Sequence, residues 1–253
     1  MEEDPKDLSH ISLDETKDYF FGIRHGQRAD KDGEHYDDVP LTEHGKEQAA
    51  AAGKLLSELF ARSKITKITF IASPFLRTLQ TANEVAKECG LKDLKIDLEF
   101  MESLYPEFNE SNPLVKLESR NLSAEDMQEK YLDSGITVQY PTEEEWKQAD
   151  EVFPEPIGED FKRLFNGFEN VISKYPSEGK EGSNVVILVG HGSMLKCITD
   201  FIEESDKVVD YCSIGALEYD REGNKSLLIN RFCGHVTRDE GWKLDPVLHA
   251  CVI

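Results

Sequence analysis

The chain has 253 residues, of which 39% are hydrophobic, and this is enough for one large α/β domain with a sizeable core. Acidic residues outnumber basic ones by 50 to 29, and the net charge of -21 argues against a nucleic acid or an anionic membrane as partner. Any phosphate-binding site must therefore be a local cluster of positive charge.

The sequence carries no signal for export or membrane insertion. No apolar run approaches the roughly 18 residues of a membrane helix, and the opening residues Met1-Glu2-Glu3-Asp4 are acidic, unlike a secretory signal. The five cysteines are odd in number and widely spaced, which predicts reduced thiols rather than a disulfide framework or a zinc site. We therefore expect a cytoplasmic protein, with the nucleus as the alternative.

Taken in chain order, the sequence alternates between buried strands and helices. Residues 1–17 are polar and acidic without periodicity, and they predict a flexible arm ahead of a single domain over residues 18–253. Three short apolar runs, "YFFGI", "KITFIAS" and "NVVILVG", predict parallel strands that are buried on both faces. The stretch "GALEYDREGNKSLLINRFCG" predicts a terminal hairpin with its turn at residues 222–224.

Helical periodicity separates these strands. Thr42 is a predicted N-cap for a helix through "QAAAAGKLLSELFARS", and a second helix follows Pro74 and ends at Gly90. Further helices are predicted after His191 and over "FKRLFNGFENVISKY". The alternation predicts a three-layer, doubly wound α/β fold, with a mostly parallel sheet, helices on both faces and right-handed crossovers.

Residues 103–158 interrupt this alternation. They are rich in Pro, Glu and Ser, contain helical fragments around "AEDMQEKYL" and "EEEWKQAD", and show no strong buried strand. We interpret them as an inserted cap segment that passes over the sheet and selects the leaving group of a substrate.

The first candidate functional residues follow the first strand, where Arg24, His25 and Arg28 lie within one turn. Two guanidiniums beside an imidazole lower its pKa, which keeps it neutral and nucleophilic, and both can bind phosphoryl oxygens. Gly26 allows the backbone to approach a ligand closely. Alone, the pattern is equally compatible with a solvated basic loop.

Two further segments make a phosphate site the better interpretation. Arg77 lies at the start of the helix after Pro74, and helix N-termini favour anions. His191 ends another buried strand. Each residue taken alone fits a structural role, but all three segments follow the carboxyl ends of strands, where sheets of this kind bind ligands.

With these residues in place, the sequence resembles the histidine phosphatase superfamily, branch 1, which is also called phosphoglycerate-mutase-like. It is most similar to the eukaryotic subgroup of the suppressor-of-T-cell-receptor-signalling tyrosine phosphatases and the ecdysteroid-phosphate phosphatases. Their Arg-His-Gly-x-Arg-x-Asp pattern fits residues 24–30, including Asp30. The matching residues, in chain order, are Arg24-His25-Gly26, Pro40-Leu41-Thr42, Gly45, Gln48-Ala49, Ser73-Pro74, Leu76-Arg77, Gln80-Thr81-Ala82 and Gly190-His191-Gly192.

The resemblance implies that His25 is the nucleophile and that no cofactor or metal is needed. It also implies a phosphate pocket formed by Arg24, Arg28, Arg77 and His191. A metal shared by the two site histidines is the alternative, but the flanking arginines would repel a cation. The remaining histidines, His35, His44 and His235, show no metal-ligand spacing.

The resemblance further implies a glutamic acid that protonates the leaving group and that the site keeps protonated. In "KIDLEFMESLYPE", Glu102 is the first choice and Glu99 the second, and Glu99 is otherwise counted among the substrate-binding residues. The segment lacks the glycine and tryptophan that would fix the register. Gln27 stands where many relatives carry Glu, and we expect it either to shape the substrate site or to lie on the surface.

The sequence therefore predicts a hydrolase of phosphomonoesters that works through a phosphohistidine. Its substrate would be a phosphorylated small molecule or a phosphoprotein, phosphotyrosine included. A nucleic acid or a membrane is not expected as a partner. A homodimer is left open because relatives often dimerise. A phosphoglycerate-type mutase and a catalytically inactive phosphatase-like scaffold are the two alternatives.

Overall fold

The apolar runs of the sequence form the inner strands of one sheet in the computed structural model, which describes residues 8–29, 38–107, 109–133, 135–174, 182–202, 209–220 and 222–236. The strands are β1 (Asp18–Arg24), β2 (Ile65–Ala72), β3 (Asp93–Ile96), β4 (Thr137–Gln139), β5 (Ser183–Gly190), β6 (Ile214–Tyr219) and β7 (Lys225–Phe232). Their order across the sheet is β4-β3-β2-β5-β1-β6-β7. The first five strands in that order run parallel. Strand β6 runs antiparallel to its neighbour β1, and β7 pairs antiparallel with β6 to form the predicted hairpin. The predicted mostly parallel sheet is confirmed.

The helices begin and end close to the predicted signals. Thr42 caps the first helix by accepting a hydrogen bond from the Gly45 amide, and Gly90 ends the second in the left-handed conformation that glycine tolerates best. No helix in the described part of the chain is long and apolar enough to cross a membrane. The helices are α1 (Glu43–Ala61), α2 (Leu76–Cys89), α3 (Glu118–Asn121), α4 (Ala124–Lys130), α5 (Glu143–Asp150), α6 (Glu159–Lys174) and α7 (Gly192–Ile202), with 3-10 turns at Leu98–Phe100 and Pro113–Lys116.

The sheet is covered by helices on both faces. Side chains alternate along a strand, so Phe21 of β1 packs in one cluster with residues of α1 and α2. Its neighbour Phe20 packs in the other cluster with residues of α6 and α7, where its ring meets Phe168 edge to face at 5.0 Å. This arrangement confirms the predicted three-layer fold.

The domain begins earlier than the sequence analysis placed it. Leu8 and Leu13 are 2% and 7% exposed and belong to the core cluster on the α1 side, where Ile11 packs against them. Residues 8–17 are thus part of the packed domain, contrary to the predicted arm over 1–17, because these apolar side chains bury against the sheet. Residues 1–7 lie outside the described part of the chain.

The segment 103–158 builds a small cluster of its own. Its helices bury Leu104, Leu114 and Trp146 together with Phe75, which precedes α2. The segment also supplies β4, which extends the sheet by pairing with β3. This strand is not predicted from the sequence, because three residues at a sheet edge with no buried side chain carry no apolar signal.

The four described cysteines, Cys89, Cys197, Cys212 and Cys233, are free thiols. Cys197 and Cys212 are buried, and the other two are partly exposed. Cys251 lies outside the described residues.

Candidate active site

Two neighbouring parallel strands bring the two site histidines together. The register pairs Arg24 of β1 with Gly190 of β5, so the residue after each strand is His25 or His191. The His25 amide donates to the Gly190 carbonyl at 3.0 Å, which continues the ladder past the strand ends. The two rings lie edge to face with their centroids 5.6 Å apart.

The His25 ring is held in a tautomer suited to nucleophilic attack. Its Nδ1 lies 2.8 Å from the Gly26 carbonyl oxygen, and the side chain is buried. Because a carbonyl oxygen can only accept, Nδ1 carries the proton and Nε2 keeps its lone pair. Burial lowers the pKa of His25 well below 6.5, and the positive charge of Arg77 and Arg24 lowers it further.

Arg24 and Arg77 converge on this ring from different elements. Both are almost fully buried, at 4% and 3% exposure. The guanidinium of Arg24 lies 4.5 Å above the Tyr211 ring and donates to the Val209 carbonyl at 2.7 Å. The guanidinium of Arg77, in the first turn of α2, lies 4.5 Å above the ring of Phe75. Stacking on aromatic faces places two buried cations at fixed positions, which is how a protein prepares an anion site.

Arg28 completes the predicted cationic set. It is partly exposed and pairs with Leu41 through an isolated antiparallel bridge. Its charge contributes to the lowered pKa of both His25 and Arg77, which places it in the same electrostatic environment. Asp30, the last residue of the matched pattern, lies outside the described residues.

His191 is engaged through both ring nitrogens. Its Nε2 is 2.7 Å from Ser73 Oγ, and its Nδ1 is 3.0 Å from Glu102 Oε2. An ionised carboxylate only accepts, so Nδ1 carries the proton and Nε2 accepts from the Ser73 hydroxyl. Burial lowers the pKa of His191 to about 4, although Glu102 opposes this. In this arrangement the ring orients Glu102, and a direct contact with a phosphoryl group would displace one of its two partners.

Glu102 lies at the site, as the first choice predicted. Its Oε2 is also 3.3 Å from Arg77 Nη2, and its side chain is 23% exposed. Burial favours the neutral acid, but the attraction of His191 and Arg77 outweighs it and holds the pKa of Glu102 well below 4.5. In this structure the Arg77 guanidinium and the His191 Nδ1–H therefore favour the ionised carboxylate, and protonation of Glu102 stays an expectation for the substrate-bound site.

Glu99 does not join this cluster. It is exposed and lines a cavity with Lys95 and Lys174. The lining of that cavity includes none of the five arginines and histidines of the predicted site. The 3-10 turn at Leu98–Phe100 turns Glu99 toward Gly167 of α6. The prediction of Glu99 as a substrate-binding residue is corrected for this reason.

The loop after β1 is held by close backbone contact with α1. A Cβ on Gly26 would lie 2.3 Å from the Gly45 carbonyl oxygen, so any other residue would force the two segments apart. The Gly26 amide donates to Thr81 Oγ1 at 3.0 Å, and the Gln27 amide donates to Gln48 Oε1 at 3.0 Å. These members of the matched motif therefore support the loop that carries His25.

Gln27 has a structural contact of its own. Its side-chain oxygen accepts from Thr42 Oγ1 at 2.7 Å, next to the N-cap of α1. This contact joins the loop that carries His25 to the start of α1, and the Gln27 side chain is partly exposed.

Three residues with clear positions were not assigned a role from the sequence. Ser73 and Tyr211 contact the site, as described above, and Asp38 joins the cap to α2. Its two carboxylate oxygens accept from the amides of Leu76 at 2.7 Å and Glu118 at 2.8 Å. Ser73 could have been found from its place in the matched motif, whereas Tyr211 and Asp38 lie in loops without a pattern.

Three side chains at the site are of types that can bind a metal ion. Ligand atoms of His25, Glu102 and His191 lie within 4.8 Å of one another. Arg77 lies beside Glu102 and carries a fixed positive charge into the same space, so the electrostatics favour an anion over a cation. Elsewhere in the chain, the ring of His44 lies 3.5 Å from Glu47, His235 stacks on Phe232, and His35 is outside the described residues.

Comparisons with known proteins agree with this architecture. The family model of the histidine phosphatase superfamily, branch 1, matches residues 20–231. The comparison with curated proteins found no significant match.

Similar solved structures include a phosphoglycerate mutase from Bacillus anthracis, at 18% identity and a TM-score of 0.58, covering 88% of this chain and 96% of the other. They also include "mycobacterial hydrolase 1", at 16% identity and a TM-score of 0.54, covering 85% and 99%. A mycobacterial glucosyl-3-phosphoglycerate phosphatase matches at 18% identity and a TM-score of 0.53, covering 84% and 98%. At these identities the likeness concerns the fold, while the family model covers most of the sequence. The chain belongs to the histidine phosphatase superfamily, branch 1.

Proposed function

We propose that this chain hydrolyses phosphomonoesters by transferring the phosphoryl group first to Nε2 of His25 and then to water. The observation that carries the proposal is the state of His25, a buried neutral imidazole whose Nδ1 is occupied by the Gly26 carbonyl and whose surroundings are cationic. A neutral ring with a free Nε2 lone pair is the form that attacks phosphorus. The surrounding guanidiniums suit the charge that a phosphoryl group spreads over its oxygens during transfer.

In the first step, Nε2 of His25 attacks phosphorus while the bond from phosphorus to the ester oxygen breaks. Arg24, Arg28 and Arg77 stabilise the phosphoryl oxygens. The negative charge of the bound substrate raises the pKa of Glu102, so this carboxyl takes up a proton and gives it to the leaving oxygen.

In the second step, a water molecule attacks phosphorus and the phosphorus–nitrogen bond breaks. Glu102, now ionised, accepts the proton of that water, and inorganic phosphate leaves with His25 again neutral. The two steps use the same carboxyl as acid and then as base. No step requires a metal, because the guanidiniums supply the positive charge that a metal would otherwise supply.

An aromatic ring beside His25 suggests the kind of leaving group. We propose an aryl or small organic phosphate, phosphotyrosine included, because the half-exposed Tyr211 ring lies beside Arg24 with its centroid 5.7 Å from that of His25. The similar folds belong to a mutase as well as to a phosphatase, so the fold does not choose between these reactions.

The test is to incubate the protein with p-nitrophenyl phosphate, measure phosphate release, and trap the protein-bound phosphate by rapid quenching. Wild type should release phosphate and carry protein-bound phosphate that is labile in acid and stable in base. His25→Ala should lose both, and the rate should fall by at least about a thousandfold, as for a nucleophile.

His44→Ala is the matched control, since it removes a histidine that contacts Glu47 on α1 and should keep both signals. Isomerisation of 3-phosphoglycerate without phosphate release would support the mutase instead. If the protein neither binds phosphate covalently nor hydrolyses any of a panel of phosphate esters, the inactive scaffold is supported.

A further inference from the structure

The backbone that carries Glu102 is irregular and needs support from outside. Residues 101–105 follow the 3-10 turn at Leu98–Phe100 and belong to no helix or strand. Their carbonyl groups therefore lack the ladder partners that fix the strand ends at His25 and His191. Buried carbonyls without such partners must be satisfied by side chains or water.

One arginine on α6 supplies donors to the part of this backbone on either side of Met101. Arg163 Nη1 donates to the carbonyls of Glu99 at 2.7 Å and Met101 at 3.1 Å, and Nη2 donates to the carbonyl of Glu102 at 3.3 Å. The remaining donors, Nε and Nη2, bind the two carboxylate oxygens of Glu155 at 2.9 and 3.0 Å. All five N–H donors of this guanidinium are thus used, and a lysine, with three donors, could not reproduce the set.

Glu155 holds the same segment from its other side. Its Oε2 accepts from the Leu104 amide at 2.9 Å, and its own amide donates to the Leu104 carbonyl at 3.1 Å. The Glu155 side chain is 2% exposed and that of Arg163 is 10% exposed. The two residues form a buried ion pair, named here the 163–155 pair. It makes hydrogen bonds to the backbone on both sides of Glu102.

The side chain of Glu102 is only loosely fixed by its own contacts. Its contact with His191 Nδ1 is 3.0 Å, but those with Arg77 Nη2, Ser193 Oγ and the Ser103 amide are each 3.3 Å. Hydrogen bonds of that length are long and weak. The position of the carboxyl therefore depends on where the backbone is held.

We propose that the 163–155 pair positions Glu102 for protonation of the leaving group, so that Arg163 and Glu155 act on catalysis through Glu102 without touching the substrate. This inference rests on the proposed role of Glu102 as the acid. A displaced acid matters most when the leaving oxygen is strongly basic, because a good leaving group departs without a proton. The pair should therefore determine which esters are hydrolysed well.

The test compares kcat/KM for p-nitrophenyl phosphate, whose nitrophenolate leaves readily, with that for phenyl phosphate, whose phenolate is more basic. In Arg163→Lys, we expect the value for phenyl phosphate to fall by roughly 10- to 100-fold and that for p-nitrophenyl phosphate by less than about 3-fold. Glu155→Gln, which keeps the shape of the side chain, should show the same selectivity and serves as the second variant if Arg163→Lys folds poorly.

The matched control is Arg120→Lys. Arg120 makes a two-pronged ion pair with Asp150 at 2.7 and 2.8 Å in the same cap segment. This variant should leave the ratio of the two substrates unchanged. Thermal unfolding of every variant shows whether the fold is retained.

Glu102→Gln separates positioning from general damage. Alone it should lower kcat/KM for phenyl phosphate selectively, and Arg163→Lys added to it should change the ratio by less than about 2-fold, because the acid is already absent. The inference is overturned if Arg163→Lys lowers kcat/KM equally for both esters. It is also overturned if Arg163→Lys lowers kcat/KM for phenyl phosphate as much in the Glu102→Gln background as in wild type. Either result leaves the proposed function standing. If Glu102→Gln itself shows no selectivity, or wild type hydrolyses neither ester, the proposed role of Glu102 fails and the inference falls with it.

Discussion

The side chains that would meet the phosphoryl group and the side chain that would protonate its leaving group are held by different kinds of structure. His25 and His191 follow adjacent parallel strands, and backbone hydrogen bonds fix the distance between them. Glu102 lies in an irregular segment that depends on side chains from α6 and the cap. We therefore expect the proposed phosphoryl-binding side chains to be held as firmly as the sheet, and the position of the proposed acid to depend on the 163–155 pair.

The largest effect that tests this contrast is expected from Arg77→Ala. Arg77 is buried beside His25 and Glu102, and its loss removes a fixed charge from the site. We expect kcat/KM to fall by roughly 100- to 1,000-fold, as for other preorganised charge-stabilising groups. The fall should be similar for p-nitrophenyl and phenyl phosphate, because the phosphoryl group is the same in both.

Arg120→Ala is the control for loss of an arginine and should keep most of the activity, since Arg120 lies in the cap and pairs with Asp150. If Arg77→Ala changes the ratio of kcat/KM for the two esters as strongly as Glu102→Gln does, then phosphoryl binding and protonation of the leaving group, the two halves of the site, are not separable.

The pH dependence should differ between the same two halves. The pKa of His25 lies well below 6.5, so the nucleophile stays neutral as the pH falls through 6.5, and kcat/KM should show no acid limb there. The neutral fraction of an ordinary histidine, with a pKa of about 6.5, falls about 16-fold between pH 6.5 and pH 5. The pKa of Glu102 is lowered, so the acid must take up its proton, and this becomes harder as the pH rises.

Activity on phenyl phosphate should therefore decline as the pH rises, and activity on p-nitrophenyl phosphate should decline less, because its leaving group needs the proton less. The measurement is the kcat/KM profile of both esters, corrected for ionisation of the substrate. An additional inflection near 6.5 shared by both esters would mean that His25 titrates normally.

The same division separates what the sequence predicts from what it does not. Strand ends and capped helices have local signals, so the positions of His25, Arg77 and His191 follow from apolar runs, the Thr42 and Gly90 caps and a motif in fixed order. The place of Glu102 has no such signal, because its segment is irregular and its support comes from residues more than fifty positions away.

The misplaced residues have physical reasons as well. Glu99 and Glu102 are three residues apart, and only the 3-10 turn before Glu102 decides which faces the histidines. Leu8 and Leu13 are buried by contacts with residues distant in the sequence, and an acidic stretch without periodicity gives no local sign of such contacts. The strand β4 is set by its neighbour β3 and by no propensity of its own.

The smallest effect concerns how a substrate reaches the site. The chain carries a net charge of -21, and an anionic ester should be repelled at long range while the buried arginines attract it only nearby. Raising the salt from about 50 to 200 mM screens the repulsion more than the buried contacts, so kcat/KM should stay constant or rise by less than about 3-fold. Stopped assays at constant pH and matched counter-ion measure this, with a chloride salt so that no phosphate analogue competes. Because the repulsion acts before either half of the site is engaged, both esters should respond alike; a steep fall with salt would mean that a basic surface guides the substrate and that the cationic site extends beyond the strand ends.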